Sequence, residues 1–166
     1  LFPGGGVGYE AMGAGLSVHH EVYRETIEQG LRLARDEHGI DLAPFLTAGD
    51  AADLDTGRPA LQLPALFLVE VALARLWQAE GLQPVALLGH SLGEVSAACV
   101  AGVMDFEQAL GLTVLRGRLF ETVQRGAMLS VAAGAGSIED RLRGSLGVAA
   151  DNAPDTCTVA GAVDDV

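Results

Sequence analysis

Apolar positions along the chain change their spacing from one stretch to the next. Val18, Val22, Ile27, Leu31 and Ala34 recur at roughly helical intervals with Glu and Arg between them, which predicts an amphipathic surface helix over residues 16–35. Residues 65–79 are apolar on most faces, as in a helix packed between a sheet and other helices, and Pro64 suits its first position. Residues 47–59, rich in Ala, Asp and Gly without periodicity, read as a connecting loop. The short run Val85-Ala86-Leu87-Leu88 predicts a strand and 95–101 a helix stopped at Gly102; Asp105 suits the N-cap of a further helix over 106–124. Leu1-Phe2-Pro3-Gly4-Gly5-Gly6 reads as the end of a short strand entering a glycine loop. After Gly126 the segments shorten, to strands at 127–132, 148–150 and 156–160 with a short helix at 138–142.

That β-α-β-β order is the first part of a ferredoxin-like unit, which in full needs another helix and strand. The expected organisation is a large subdomain over 1–126 and the start of a small one over 127–166, the whole reading as a fragment cut at both ends. With 166 residues and 49% hydrophobic content the chain can bury one core. Its net charge of −12, without a clustered basic run, argues against nucleic-acid or anionic-membrane partners. The most apolar segment, 63–82, carries Glu70, Arg75 and Glu80 and is interrupted by Pro64 and Gly81, so it reads as a buried helix, not a membrane span. Cys99 and Cys157 lack metal-ligand spacing, and no signal peptide is visible. Buried free thiols in a reducing cytoplasmic compartment are expected, with no metal.

Chemistry enters at Gly89-His90-Ser91-Leu92-Gly93-Glu94, which lies between the predicted strand and helix and so makes strand, sharp turn, helix. This is the pattern of a nucleophile elbow, in which flanking glycines relieve collisions across a strained serine. A serine hydroxyl is a weak nucleophile and needs a base. The turn itself aims the Leu92 N–H, backed by the helix dipole, at an oxyanion forming on a carbonyl attacked by Ser91.

Phe2-Pro3-Gly4-Gly5-Gly6, the elbow, Arg116-Gly117-Arg118 and Gly126-Ala127-Met128 follow one another in that order. Over essentially all 166 residues the chain resembles the malonyl-CoA:acyl-carrier-protein acyltransferases, most of all the acyltransferase domains of modular polyketide synthases. The resemblance implies an α/β fold: an α/β-hydrolase-like large subdomain with a parallel sheet, and an inserted ferredoxin-like small subdomain. It also implies ping-pong transfer of a malonyl-type unit from malonyl-CoA, through an ester on Ser91, to the phosphopantetheine thiol of an acyl carrier protein, in polyketide or fatty-acid biosynthesis. Neighbouring synthase domains are the implied partners, and no bound cofactor is implied.

Carried onto this chain, the resemblance makes Ser91 the nucleophile and the N–H groups of Gly5 and Leu92 the oxyanion donors. Arg116 would meet the free carboxylate that a malonyl ester retains, because a guanidinium fork can bind both of its oxygens. By residue type alone, Arg116 is equally a helix-surface arginine, as Arg118 is expected to be. His90 adjoins the serine but should point elsewhere, lining the pocket or packing beneath the turn. The chain departs from the common family pattern at Gly5, Gly8 and Leu63, where glutamine is frequent, which removes polar lining. Leu92 leans toward malonyl, since methylmalonyl users tend to carry glutamine there. No histidine follows Ser91. The catalytic histidine is therefore expected beyond Val166, and these residues by themselves are expected to be inactive. Two other readings of the elbow are a serine esterase or lipase, with Gly4-Gly5-Gly6 as its oxyanion loop, and a non-catalytic scaffold remnant.

Overall fold

His20 divides the predicted first helix in two, α1 (Ala14–His19) and α2 (Glu21–His38). Its backbone is extended, at φ −126° and ψ 110°, which interrupts the helical ladder. The predicted apolar face holds at Ile27 and Ala34 but not at its start. Tyr23, Thr26, Ile27, Gly30 and Ala34 turn inward, whereas Val18 and Val22, expected on the apolar face, are exposed. The computed structural model describes residues 1–9, 11–47 and 57–166, so most of the predicted 47–59 loop lies outside the described residues. These residues form two units, Leu1–Thr122 and Val123–Val166.

The first unit is built around α4 (Pro59–Ala79), which follows the short helix α3 (Ala43–Leu46). It begins a turn earlier than the pattern predicts: Pro59 takes the N-terminal position and Pro64 lies inside the helix. The N–H groups of Leu61 and Gln62 both reach Arg58 O to close the first turn, while Pro64 has no N–H to return to Ala60. By length and hydropathy α4 could cross a membrane, but 67% of its apolar window is buried inside the unit. Phe67 and Leu68 are fully buried, and the Phe67 ring stacks on Phe106 at 5.7 Å between centroids.

Two further helices complete this core, α5 (Gly93–Val100) and α6 (Phe106–Thr122). The first ends as predicted at Gly102: the Val103 N–H donates to Ala98 O and the Gly102 N–H to Cys99 O, the paired bonds of a Schellman stop. The second starts at the predicted Asp105, whose Oδ1 accepts from the Gln108 N–H at 2.8 Å while Gln108 Oε1 accepts from the Asp105 N–H at 3.4 Å. At Gly117 a Cβ would come within 2.5 Å of Pro59 O, so this glycine allows α6 to close on the start of α4.

Parallel pairing among the described residues is one bridge, Phe2 to Gly89. The Phe2 N–H donates to Leu88 O at 2.8 Å and the His90 N–H to Phe2 O at 3.0 Å. The predicted 85–88 strand carries no further ladder, because an extended segment becomes a strand only where a partner runs beside it.

The second unit is an antiparallel sheet of β1 (Gly126–Val131), β2 (Gly147–Ala153) and β3 (Thr156–Ala162). Its order is β1-β3-β2, with β3 between the two strands that a helical crossover joins, the split β-α-β arrangement of a ferredoxin-like unit. The predicted crossover helix starts earlier, as α7 (Ala135–Ile138), and tightens into a 3₁₀ turn over Glu139–Arg141. Cys157 is buried in β3; Cys99 is only half-buried, against the expectation that both thiols would be enclosed.

Candidate active site

Ser91 has φ 54°, in the left-handed region that a residue with a Cβ seldom adopts. Its neighbours explain how the strain is held. A Cβ on Gly89 would fall 2.1 Å from Gly93 C, and one on Gly93 would fall 2.2 Å from Phe2 O. Only hydrogen fits at either position, so the elbow closes on itself and against the first strand residue. The result is an exposed Ser91 at the start of α5, over a fully buried Leu92.

The glycine loop runs beside this serine, since a Cβ on Gly4 would lie 3.2 Å from Ser91 Cβ. Around the elbow, the N–H groups of Gly93, Glu94 and Val95 bond to the carbonyls of His90, Ser91 and Leu92. Those of Leu92 and Gly5 have no acceptor among the described residues. An elbow with two uncommitted N–H groups, one from the turn and one from the adjoining loop, has the composition of an oxyanion hole. Gly5 and Leu63, two of the departures noted from sequence, prove to be neighbours: a Cβ on Gly5 would meet Leu63 Cδ2 at 3.1 Å. Leucine thus covers the space that a side chain at position 5 would enter.

Arg116 reaches the serine from α6, and its Nη2 donates to Ser91 Oγ at 3.1 Å. The guanidinium carbon lies 5.4 Å from the centre of the Phe120 ring. No carboxylate pairs with Arg116 among the described residues. Arg118, two residues on, instead donates to His38 O. The two arginines of one short motif therefore separate, one toward Ser91 and one onto the backbone. Arginine has no acceptor and stays charged, so it fills a lone pair of Oγ without taking the serine proton. His90 packs its ring against Gly4, with Cδ2 3.0 Å from the Cβ position there, and makes no hydrogen bond to Ser91. Neither do His19, His20 or His38 among the described contacts. No cluster of metal-ligating side chains occurs among the described residues.

Behind the elbow lies a pair that sequence reading missed. Glu70, on α4, and Ser96, on α5, are both buried, and the Ser96 hydroxyl donates to Glu70 Oε2. Glu70 Oε1 has no hydrogen-bond partner among the described residues. The Glu70 residue lines an apolar groove of about 410 Å³ together with Phe2, Leu66, Leu73 and Trp77. A lone carboxylate in an otherwise apolar helix was the available signal; spacing within α4 could not reveal its partner on another helix. Burial pushes the Glu70 carboxyl up to about 7, the Ser96 hydrogen bond offsetting part of the rise. Between its unfolded pKa and 7 the folded chain holds the extra proton, so this contribution to stability is complete below that window and is lost as pH rises through it. The slope at its steepest is about 1.4 kcal/mol per pH unit. Chemical denaturation at pH 5 and pH 8 should show the parent losing stability with rising pH relative to Glu70→Gln, which has no proton to lose. Equal losses in both proteins would mean that Glu70 titrates like an ordinary surface carboxylate.

The acyl transferase domain family matches residues 1–166, the whole chain. A PKS-NRPS hybrid synthetase, acdB of Aspergillus candidus, is 41% identical over 97% of this chain, which spans 7% of that protein's length. Among solved structures, the acyl transferase domain of SpnD, in complex with 2-(pent-4-yn-1-yl)malonyl, is 43% identical with a TM-score of 0.86, covering 98% of this chain and 38% of its own. A malonyl-transacylase in complex with a type II PKS acyl carrier protein is 33% identical with a TM-score of 0.82, covering 99% and 54%. The elbow, the glycine loop beside it and the arginine facing its serine thus sit in a chain that belongs, along its whole length, to the acyl transferase domain family.

Proposed function

We propose that the chain supplies the nucleophile and acyl-binding half of an acyltransferase that moves a malonyl-type unit from CoA to an acyl carrier protein. The observation that carries this reading is the Arg116 guanidinium, without a carboxylate partner among the described residues and 3.1 Å from Ser91 Oγ. An acyl group with a second, free carboxylate is the cargo that such a cation beside a nucleophile suits. The esterase and scaffold readings leave this cation unexplained. Relatives that carry a malonyl ligand or pair with a carrier protein add support.

In the proposed reaction Ser91 Oγ attacks the thioester carbonyl of malonyl-CoA as a base accepts its proton. The N–H groups of Gly5 and Leu92 receive the oxyanion; the C–S bond then breaks and CoA leaves as its thiol, reprotonated from the base. An ester oxygen is a poorer acceptor than a hydroxyl, so acylation releases Arg116 to pair with the malonyl carboxylate. The phosphopantetheine thiol of the carrier protein then attacks the ester, and its proton returns through the base to Ser91 Oγ. Since no histidine bonds to Ser91 here, we assign the base to a histidine outside these 166 residues. Two free cysteines suit the reducing, cytoplasmic setting we infer, and neighbouring synthase domains are the proposed context.

Replacing Arg116 by alanine in the full-length protein tests the reading. Leaving a malonyl carboxylate unpaired in a partly dry site costs about 2–5 kcal/mol. At about 1.4 kcal/mol per decade, malonyl loading should fall by about tenfold or more. Acetyl loading should hold steady or rise, because acetyl has no charge to pair. An unchanged malonyl-to-acetyl rate ratio would remove the carboxylate role.

A further inference from the structure

We infer that Phe120 is a positioning residue for acyl selection: its ring holds the Arg116 guanidinium where it can serve first Ser91 and then the free carboxylate of the acyl group. This rests on the carboxylate role proposed for Arg116. The two residues are four apart on α6 and so share one face of the helix. Arg116 Cζ lies 5.4 Å from the ring centre, within the range where an aromatic face attracts a cation. Phe120 is 46% exposed, a large aromatic left near the surface although the core of its unit does not use it.

The geometry matters more than the attraction alone. An arginine side chain has many rotamers, and Arg116 has no carboxylate among the described residues to fix one of them. A phenyl ring attracts the guanidinium charge but offers no hydrogen-bond acceptor of its own, so the N–H groups along the guanidinium edge stay available. One of those groups meets Ser91 Oγ in this structure. The remaining edge is what a carboxylate needs for a two-pronged contact. Phe120 therefore restricts the search of the cation without competing for its donors. Its described contact is with Arg116, and its effect on selection is expected to pass through that residue.

The test measures malonyl and acetyl loading rates, by intact mass, in the full-length protein bearing Phe120→Leu, Phe120→Trp or Arg116→Ala, and Phe120→Leu combined with Arg116→Ala. Phe120→Leu should lower the malonyl-to-acetyl ratio by about two- to fivefold, the loss of one partly exposed cation–π contact, with an unchanged thermal midpoint. Phe120→Trp, which keeps an aromatic face, should hold the ratio at or above the parental value. In the Arg116→Ala background Phe120→Leu should change nothing further. If Arg116→Ala lowers the ratio but Phe120→Leu leaves it at the parental value, the positioning role is overturned and the carboxylate reading stands. Equal losses of malonyl and acetyl loading in Phe120→Leu would also overturn it, since a packing defect affects both. A ratio that Arg116→Ala does not move would overturn the carboxylate reading and this inference with it.

Discussion

Ser91→Ala in the full-length protein is expected to abolish covalent loading from malonyl-CoA and to leave the fold intact. The substitution removes one exposed hydroxyl whose described bond is to Arg116, and no core contact goes with it. The strain of φ 54° is unchanged, because alanine and serine carry the same Cβ. Gly89 and Gly93 still close the turn, so the elbow retains its shape around an empty position. Intact mass after incubation with malonyl-CoA should show the malonyl adduct on the parent and none on the variant. An adduct of the same mass on Ser91→Ala would move the nucleophile elsewhere.

Gly5→Pro should slow acylation by about 10²-fold or more, the usual effect of losing one oxyanion donor. Proline removes the Gly5 N–H, one of the two N–H groups of the elbow and its adjoining loop without an acceptor among the described residues. It also adds a Cβ, which would meet Leu63 Cδ2 at 3.1 Å, and crowding alone could slow the enzyme. Gly5→Ala separates the two causes, since it brings the same Cβ and keeps the N–H. Alanine should acylate close to the parental rate, with the Leu63 methyl yielding by a few tenths of an ångström. Gly5→Gln, which restores the commoner family residue, should also be tolerated once Leu63 moves aside. Pre-steady-state acylation rates decide the matter: equal defects in Pro and Ala would assign the effect to Leu63 and take the oxyanion role from this loop.

Local signals carried much of this protein. The elbow was legible because a strained serine in so tight a turn is flanked by glycines, Gly89 against the turn itself and Gly93 against Phe2 O, and that local pattern can be read from the sequence. The ends of α5 and α6 were legible for the same reason: Gly102 and the Asp105–Gln108 pair satisfy terminal backbone groups within a few residues of themselves. The β-α-β-β order read from sequence fits the observed unit, whose strand order β1-β3-β2 came from the structure.

What sequence could not determine was what a side chain meets after the chain turns back. His20 looked like any helical position, yet its extended backbone ends α1 there; Val18 on α1 and Val22 on α2 stay exposed, while Tyr23 and Thr26 join the expected Ile27 and Ala34 on the buried face of α2. Pro64 suited a helix start as well as Pro59 does, and the choice fell to Pro59, where α6 approaches across Gly117. Arg116 and Arg118 have the same chemistry two residues apart, and only the packing of α6 against the elbow aims one at Ser91 and the other at His38 O. The sequence by itself determined the turn at Ser91 and the helix caps, since these depend mostly on backbone groups within a short span. Tertiary structure decided the partners of Arg116, Glu70 and Gly5, because each lies on a different element and charge or hydrogen-bond pairing depends on distance in space, not on separation along the chain.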